Sequence, residues 1–198
     1  MPETTRRASL TRKTAETDIS LSVVVDGCGH ADIHTGIGFF DHMLTLFAKH
    51  SLMDLTVRTQ GDLHIDCHHA VEDTGIVLGQ ALKQALGDKR GIHRYGWCYL
   101  PMDETLSRTV VDLSGRAFLD YRGPDRVESI GNFNFTLVEE FLRAVAFNLA
   151  ANVHVEILYG RDPHHLAESV FKGLARALDQ AMRRDPRVTG IPSTKEAL

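Results

Sequence analysis

Positive charge is not in excess in this chain: 22 lysines and arginines stand against 26 aspartates and glutamates, a formal net charge of -4. Binding nucleic acid through its phosphates takes a surplus of cations to displace counterions, so the composition argues against that class. A small anionic substrate needs only a local cluster of cations and stays open. Cysteine is scarce as well. Cys28, Cys67 and Cys98 are odd in number and share no CxxC spacing, which argues against a disulfide framework or a thiolate zinc centre and fits a reducing cytoplasm. Cys67, beside His68, reads as a small residue closing a strand. No apolar run approaches a membrane span, and the opening MPETTRRASLTRKTAETDI has no apolar core of a secretion signal. A soluble protein with no membrane partner is expected. The HExxH helix of zinc proteases is missing, and so is the DxDGT segment of haloacid-type phosphatases.

Histidine is what the chain has in quantity, with 11 residues. Five of them, His42, His68, His69, His164 and His165, fall in three short motifs. Alternation and β-branched residues over 16–26 predict a strand, with a return strand at 31–34. Apolar residues of one face predict a helix over 40–50, followed by a strand over 54–60 and a helix over 68–86 ended by Gly87. Residues 92–130 look strand-rich; a helix over 137–151, a strand over 153–160 and a helix over 164–184 follow. The tail PRVTGIPSTKEAL reads as a loop or mobile end.

The two halves match. His68 and His164 are 96 residues apart, as are Glu72 and Glu168, and His42 falls on Glu140 at an offset of 98. Leu78 and Leu82 fall on Leu174 and Leu178. The chain therefore reads as a tandem duplication of one strand-helix-strand-helix unit, an α+β fold with halves 1–91 and 92–198 fused into one compact domain.

The repeated motif is HHxxE on a helix. Spacings of three and four residues bring each histidine within reach of the glutamate, and imidazole with carboxylate suits a divalent cation. Adjacent histidines point about 100° apart on a helix, so His68 and His69 are more natural ligands of different ions than of one. A single HHxxE is as readily a solvated helix start; two copies in matching phase are not. Nitrogen and oxygen ligands without thiolate admit manganese, iron, cobalt, nickel or zinc, and six-coordination with carboxylate favours manganese. Arg94, Arg116, Lys172 and Lys195 are candidate cations for an anionic substrate, and the Ser-Thr-Lys of IPSTK is a candidate phosphate clamp if the tail folds back.

GIGFFDHML, DLHIDCHHAVEDT, MDETL, VDLSGR, YGRDPHHLAESVFKGLARAL and the terminal IPSTK together resemble the imidazoleglycerol-phosphate dehydratase family, from about Arg12 to Leu198. The resemblance implies a duplicated α+β unit with sheets backed by helices, in a 24-subunit assembly with active sites between subunits. It implies two Mn2+ per active site and a phosphorylated imidazole substrate, dehydrated to imidazoleacetol phosphate in histidine biosynthesis. Carried over by motif, the metal ligands are His42, His68, His69, Glu72, His164, His165 and Glu168, with Glu140 where relatives often carry histidine. Phosphate would be held by Arg94, Arg116, Ser193 and Lys195 with Lys172 nearby. Asp103 of MDETL would contact substrate, and Glu16 matches a position implicated in proton transfer beside the carboxylates Glu72 and Glu168. The reaction would run through a metal-stabilised imidazolate that expels the neighbouring hydroxyl. Two other readings share the ligands, a binuclear hydrolase of a small phosphorylated substrate and a non-catalytic metal-binding assembly. Phosphate release would mark the first, and failure to bind a phosphorylated imidazole the second.

Overall fold

The computed structural model describes residues 5–124 and 127–198. Strands β1 (Arg7–Lys13), β2 (Thr17–Val24), β3 (Ala31–His34) and β4 (Asp54–Gly61) form one sheet in the order β1-β2-β4-β3, with helices α1 (Gly38–Ser51) and α2 (His68–Leu86). Strands β5 (Tyr95–Met102), β6 (Thr105–Asp112), β7 (Phe118–Arg122) and β8 (Asn152–Tyr159) form a second sheet in the order β5-β6-β8-β7, with α3 (Leu137–Leu149) and α4 (Pro163–Met182). Within each sheet the third strand is the one that runs parallel to its neighbour.

The expected duplication holds, and the repeated unit is larger than its sequence signature. Each half is β-β-β-α-β-α. The strand β1 escapes a hydrophobicity reading because RASLTRK carries only two apolar residues and sits at a sheet edge. Once it is included, β1 and β5 start 88 residues apart, and so do β2 and β6. The two halves even share a backbone irregularity: Leu52 and Ala150, 98 apart, both end their helices with positive φ, at 60° and 57°. That conformation is uncommon outside glycine and terminates a helix by turning the chain away.

Each sheet buries one face under helices because its strands alternate; in β2, Thr17, Ile19, Leu21 and Val23 point in and the residues between them face outward. The helices then pack across the halves, α1 on α4 and α2 on α3. Phe40 of α1 lies 5.5 Å from Phe141 of α3 and 6.5 Å from Phe171 of α4, and Phe141 stacks on Phe171 at 5.0 Å. Such pairs add about 0.5–1.5 kcal/mol each beyond simple burial. They tie helices of both halves into one core.

On the other side, α2 approaches α3 through Gly75 and Gly79. A Cβ on Gly79 would stand 2.7 Å from the Val145 carbonyl oxygen and 2.8 Å from Asn148 Cβ. Backbone cannot retreat as a flexible side chain does. Gly79→Val is expected to lower stability to urea by about 1–3 kcal/mol, measured on the metal-free chain. An unchanged unfolding midpoint would mean that the α2–α3 contact is looser than described.

Candidate active site

Two aspartates, 96 residues apart, start the two HHxxE helices. The Asp66 carboxylate accepts the His68 amide at 2.7 Å, and the Asp162 carboxylate accepts those of His164 and His165 at 2.8 and 3.3 Å. Pro163 follows Asp162 at the first helical position, where its missing N–H costs nothing. The capped helix then fixes the directions of its histidines. The rings of His68 and His69 stand 6.0 Å apart at 87°, and those of His164 and His165 6.2 Å apart at 82°. Neighbouring histidines therefore face different surroundings, as helix geometry predicts.

The first histidine of the second motif joins a cluster across the halves. His42 Nε2 of α1 lies 3.4 Å from Glu168 Oε2, and His164 Nε2 lies 3.0 Å from the same oxygen. The three ligand atoms fall within 4.8 Å of one another. Glu168 is buried, and its other oxygen, Oε1, is engaged by Lys172. Burial works against ionisation of this carboxyl, but Lys172 and His164 outweigh it and leave its pKa below the ordinary value. An ionised oxygen facing two imidazole nitrogens is a donor set that fits a divalent cation. The pseudo-equivalent set is more open: His68 Nε2 is 3.6 Å from Glu72 Oε2, while Glu140 sits on α3 and pairs with Arg143 at 3.9 Å.

The second histidines have a different arrangement. Asp62 engages His69 Nδ1 at 3.0 Å, leaving Nε2 outward, 3.8 Å from Glu16. Glu104 engages His165 Nδ1 at 2.7 Å, leaving Nε2 3.8 Å from Asp103. A carboxylate on Nδ1 fixes the tautomer and orients Nε2 toward a ligand, the usual support of a metal-binding histidine. Glu16 and Glu104 occupy matching turns, 88 residues apart, before Thr17 and Thr105. Their fates differ. Glu104 also accepts the amides of Arg161 and Asp162 at 3.0 and 2.9 Å, which together with His165 hold its pKa far below the ordinary value. The Glu16 carboxylate is half exposed and has His69 as its neighbour. Its turn is nonetheless anchored: Thr17 donates to the buried Asp73 of α2 at 2.5 Å, and Arg12 pairs with the same carboxylate.

Arg94, Arg116, Ser193 and Lys195 line one groove of about 600 Å³ together with Tyr95 and Thr194. The tail does fold back, held by Gly91 N–H on the Gly190 carbonyl and by Arg94 Nη1 on the Pro192 carbonyl. Asp112 grips Arg94 with both oxygens, at 2.7 and 3.2 Å, which presets the guanidinium. Lys172 and Asp103 lie elsewhere in the chain, at Glu168 and beside His165. Sequence reasoning missed Asp62, Glu104, Asp66 and Asp162. All four lie in motifs it had singled out, but spacing alone cannot say which carboxylate turns toward which imidazole or amide. Cys67, expected to close a strand, instead precedes α2 and is buried.

Paired histidine-carboxylate helices with a donor set suited to a divalent cation, and a separate groove gathering Arg94, Arg116 and Lys195, are the features expected of a metal-dependent enzyme with an anionic substrate. The family model for imidazoleglycerol-phosphate dehydratase matches residues 35–178. The imidazoleglycerol-phosphate dehydratases of Methylorubrum extorquens and Akkermansia muciniphila are 59% and 60% identical to the chain, each covering 98% of it and 100% of their own length. The crystal structure of the Staphylococcus aureus enzyme superposes with a TM-score of 0.82 at 41% identity, covering 90% of this chain and 99% of its own. That of the Pyrococcus furiosus enzyme gives 0.82 at 33% identity, with 96% and 100% covered. The chain belongs to the imidazoleglycerol-phosphate dehydratase family.

Hydrogen bonding to Asp62 raises the His69 pKa above 6.5, and Glu104 does the same for His165. A raised folded pKa means stabilisation that is full below the unfolded value and is lost as pH rises through the folded one. In the metal-free protein, NMR titration should therefore place the His69 midpoint above 6.5, and Asp62→Asn should bring it down. A midpoint indifferent to Asp62 would remove that carboxylate from its orienting role.

Proposed function

We propose that the chain dehydrates imidazoleglycerol phosphate to imidazoleacetol phosphate, the lyase step of histidine biosynthesis carried by the family, as a cytoplasmic enzyme. The observation that carries the mechanism is the half-exposed carboxylate of Glu16 beside His69, in a turn anchored to α2 through Asp73.

His42, His164 and Glu168 would hold one divalent ion, and His68 and Glu72, with Glu140 on the adjoining helix, would contribute to a second. His69 and His165 present Nε2 away from this packing, which suits ligation shared with neighbouring copies. A 24-subunit assembly with active sites between subunits is the arrangement we infer, with two Mn2+ per site. When bound, the ions would supply Lewis acidity to the substrate ring.

The chain's own residues do the rest. Arg94, Arg116, Ser193 and Lys195 bind the phosphate through charge-assisted hydrogen bonds and fix the orientation of the carbon skeleton. Lys172 adds positive charge from α4, and Asp103, exposed beside His165 Nε2, contacts the substrate. Glu72 and Glu168 act as ligands that set the charge around the ring. Glu16 takes the proton from the substrate carbon as the neighbouring carbon loses its hydroxyl, and the enol so formed becomes the ketone. Water leaves and the phosphate ester stays intact.

Glu16→Gln should keep its manganese content and lose about 10²–10⁴-fold in turnover; full activity in that variant would remove Glu16 from proton transfer. Lys195→Ala should raise KM far more than it lowers kcat, because it removes a binding contact remote from the reacting carbons. An assay with imidazoleglycerol phosphate, with and without chelator, tests the whole reading. Undiminished turnover after complete metal removal would overturn it, and release of inorganic phosphate would reassign the chain to hydrolysis.

A further inference from the structure

Away from the histidine-carboxylate helices, the chain brings a thiol and an imidazole on the loop between β2 and β3 together with a carboxylate at the start of β4. The ligand atoms of Cys28, His30 and Asp54 lie within 4.8 Å of one another. Cys28 Sγ and His30 Nδ1 are 3.5 Å apart. Tetrahedral zinc, with bonds of about 2.3 Å to sulfur and about 2.0–2.1 Å to nitrogen, requires a sulfur–nitrogen edge of about 3.5 Å. The two side chains already stand at that spacing.

The loop is built to keep them there. The Asp54 carboxylate accepts the amides of Cys28 and His30 at 2.9 and 3.0 Å, and the His30 carbonyl accepts the Leu55 amide at 2.8 Å. Both backbone amides point at Oδ1, and the Cys28 side chain also bonds to this carboxylate, a contact that a metal held between them would replace. Gly27 has no room for a side chain, since a Cβ there would stand 2.5 Å from the Asp54 amide nitrogen. Cys28 and His30 are exposed, so water can complete the coordination.

We propose that Cys28, His30 and Asp54 form a zinc site distinct from the catalytic cluster. Asp54 opens β4 and Gly61 closes it next to Asp62, so the strand sets this group roughly 24 Å from the Asp62–His69 pair. Their ligand chemistry differs too. Thiolate selects zinc over harder ions, whereas the all-nitrogen-and-oxygen helices accept manganese. The missing CxxC spacing argues only against a centre made of paired cysteines; a Cys-x-His step with a carboxylate from another strand is a different arrangement. On binding, the Cys28 thiol gives its proton to solvent and its sulfur forms the metal bond.

Cobalt reports this chemistry without reference to activity. Titrating the full chain with Co2+ should produce a near-ultraviolet thiolate-to-cobalt band whose final intensity corresponds to about one thiolate-bound ion per chain, beyond the ions taken by the helix clusters, and which excess zinc erases. The helix clusters hold no thiolate and contribute no such band. Cys28→Ser should abolish it, and His30→Ala should weaken cobalt binding by about tenfold or more. Zinc should also slow alkylation of Cys28 by about tenfold or more, because the metal-bound sulfur is no longer a free nucleophile. No band in the parent chain, a band that survives Cys28→Ser, or an alkylation rate indifferent to zinc would each overturn the assignment.

Discussion

Neither half of this chain can assemble the His42–His164–Glu168 cluster alone. His42 comes from the first half and the other two residues from the second, and they meet because α1 packs on α4. The packing of α2 on α3 repeats the exchange on the other side. Each HHxxE helix thus has the other half's preceding helix as its partner, and the apolar faces that stabilise the fold are the same contacts that bring the ligands together. Stability and site geometry cannot be varied independently here. A gap opened between α1 and α4 would separate His42 from Glu168 before it exposed much of the core.

Duplication left paired positions free to diverge, and the pairs did so in opposite directions. Glu104 became a brace, fixed by two amides and an imidazole, while Glu16 kept a carboxylate with little to hold it. His42 corresponds to Glu140, so one side offers a nitrogen where the other offers an oxygen. Gly75 and Gly79 let α2 close on α3, whereas their counterparts Phe171 and Ala175 fill the α4 side with an aromatic ring. The pseudo-symmetry survives in the backbone and is broken in the side chains that matter to chemistry.

Much of this was legible in the sequence because helical period and constant offset are local properties. The HHxxE phase gives the near-perpendicular rings, and the offsets of 96 and 98 residues give the duplication. The groove residues Arg94, Arg116, Ser193 and Lys195 do come together. What escaped were features set by tertiary contacts. Strand β1 has too few apolar residues to show an alternation, and its pairing with β2 supplies the order that its sequence does not. Asp62 and Glu104 are ordinary turn carboxylates until the fold aims them at His69 and His165. Lys172 looks like any surface cation one turn beyond Glu168, yet it settles on that buried carboxylate.

The cationic groove hangs from a segment of a different kind. From Asp185 onward the chain has no helix or strand, and Ser193 and Lys195 reach the groove through a few backbone hydrogen bonds at Gly91 and the Arg94 guanidinium on the Pro192 carbonyl. The proposed metal ligands stand on helices packed into the core, whereas half of the proposed anion clamp is a detachable strap. On the proposed function, proteolytic trimming of the last dozen or so residues would leave both helix clusters in place and remove half of the phosphate clamp.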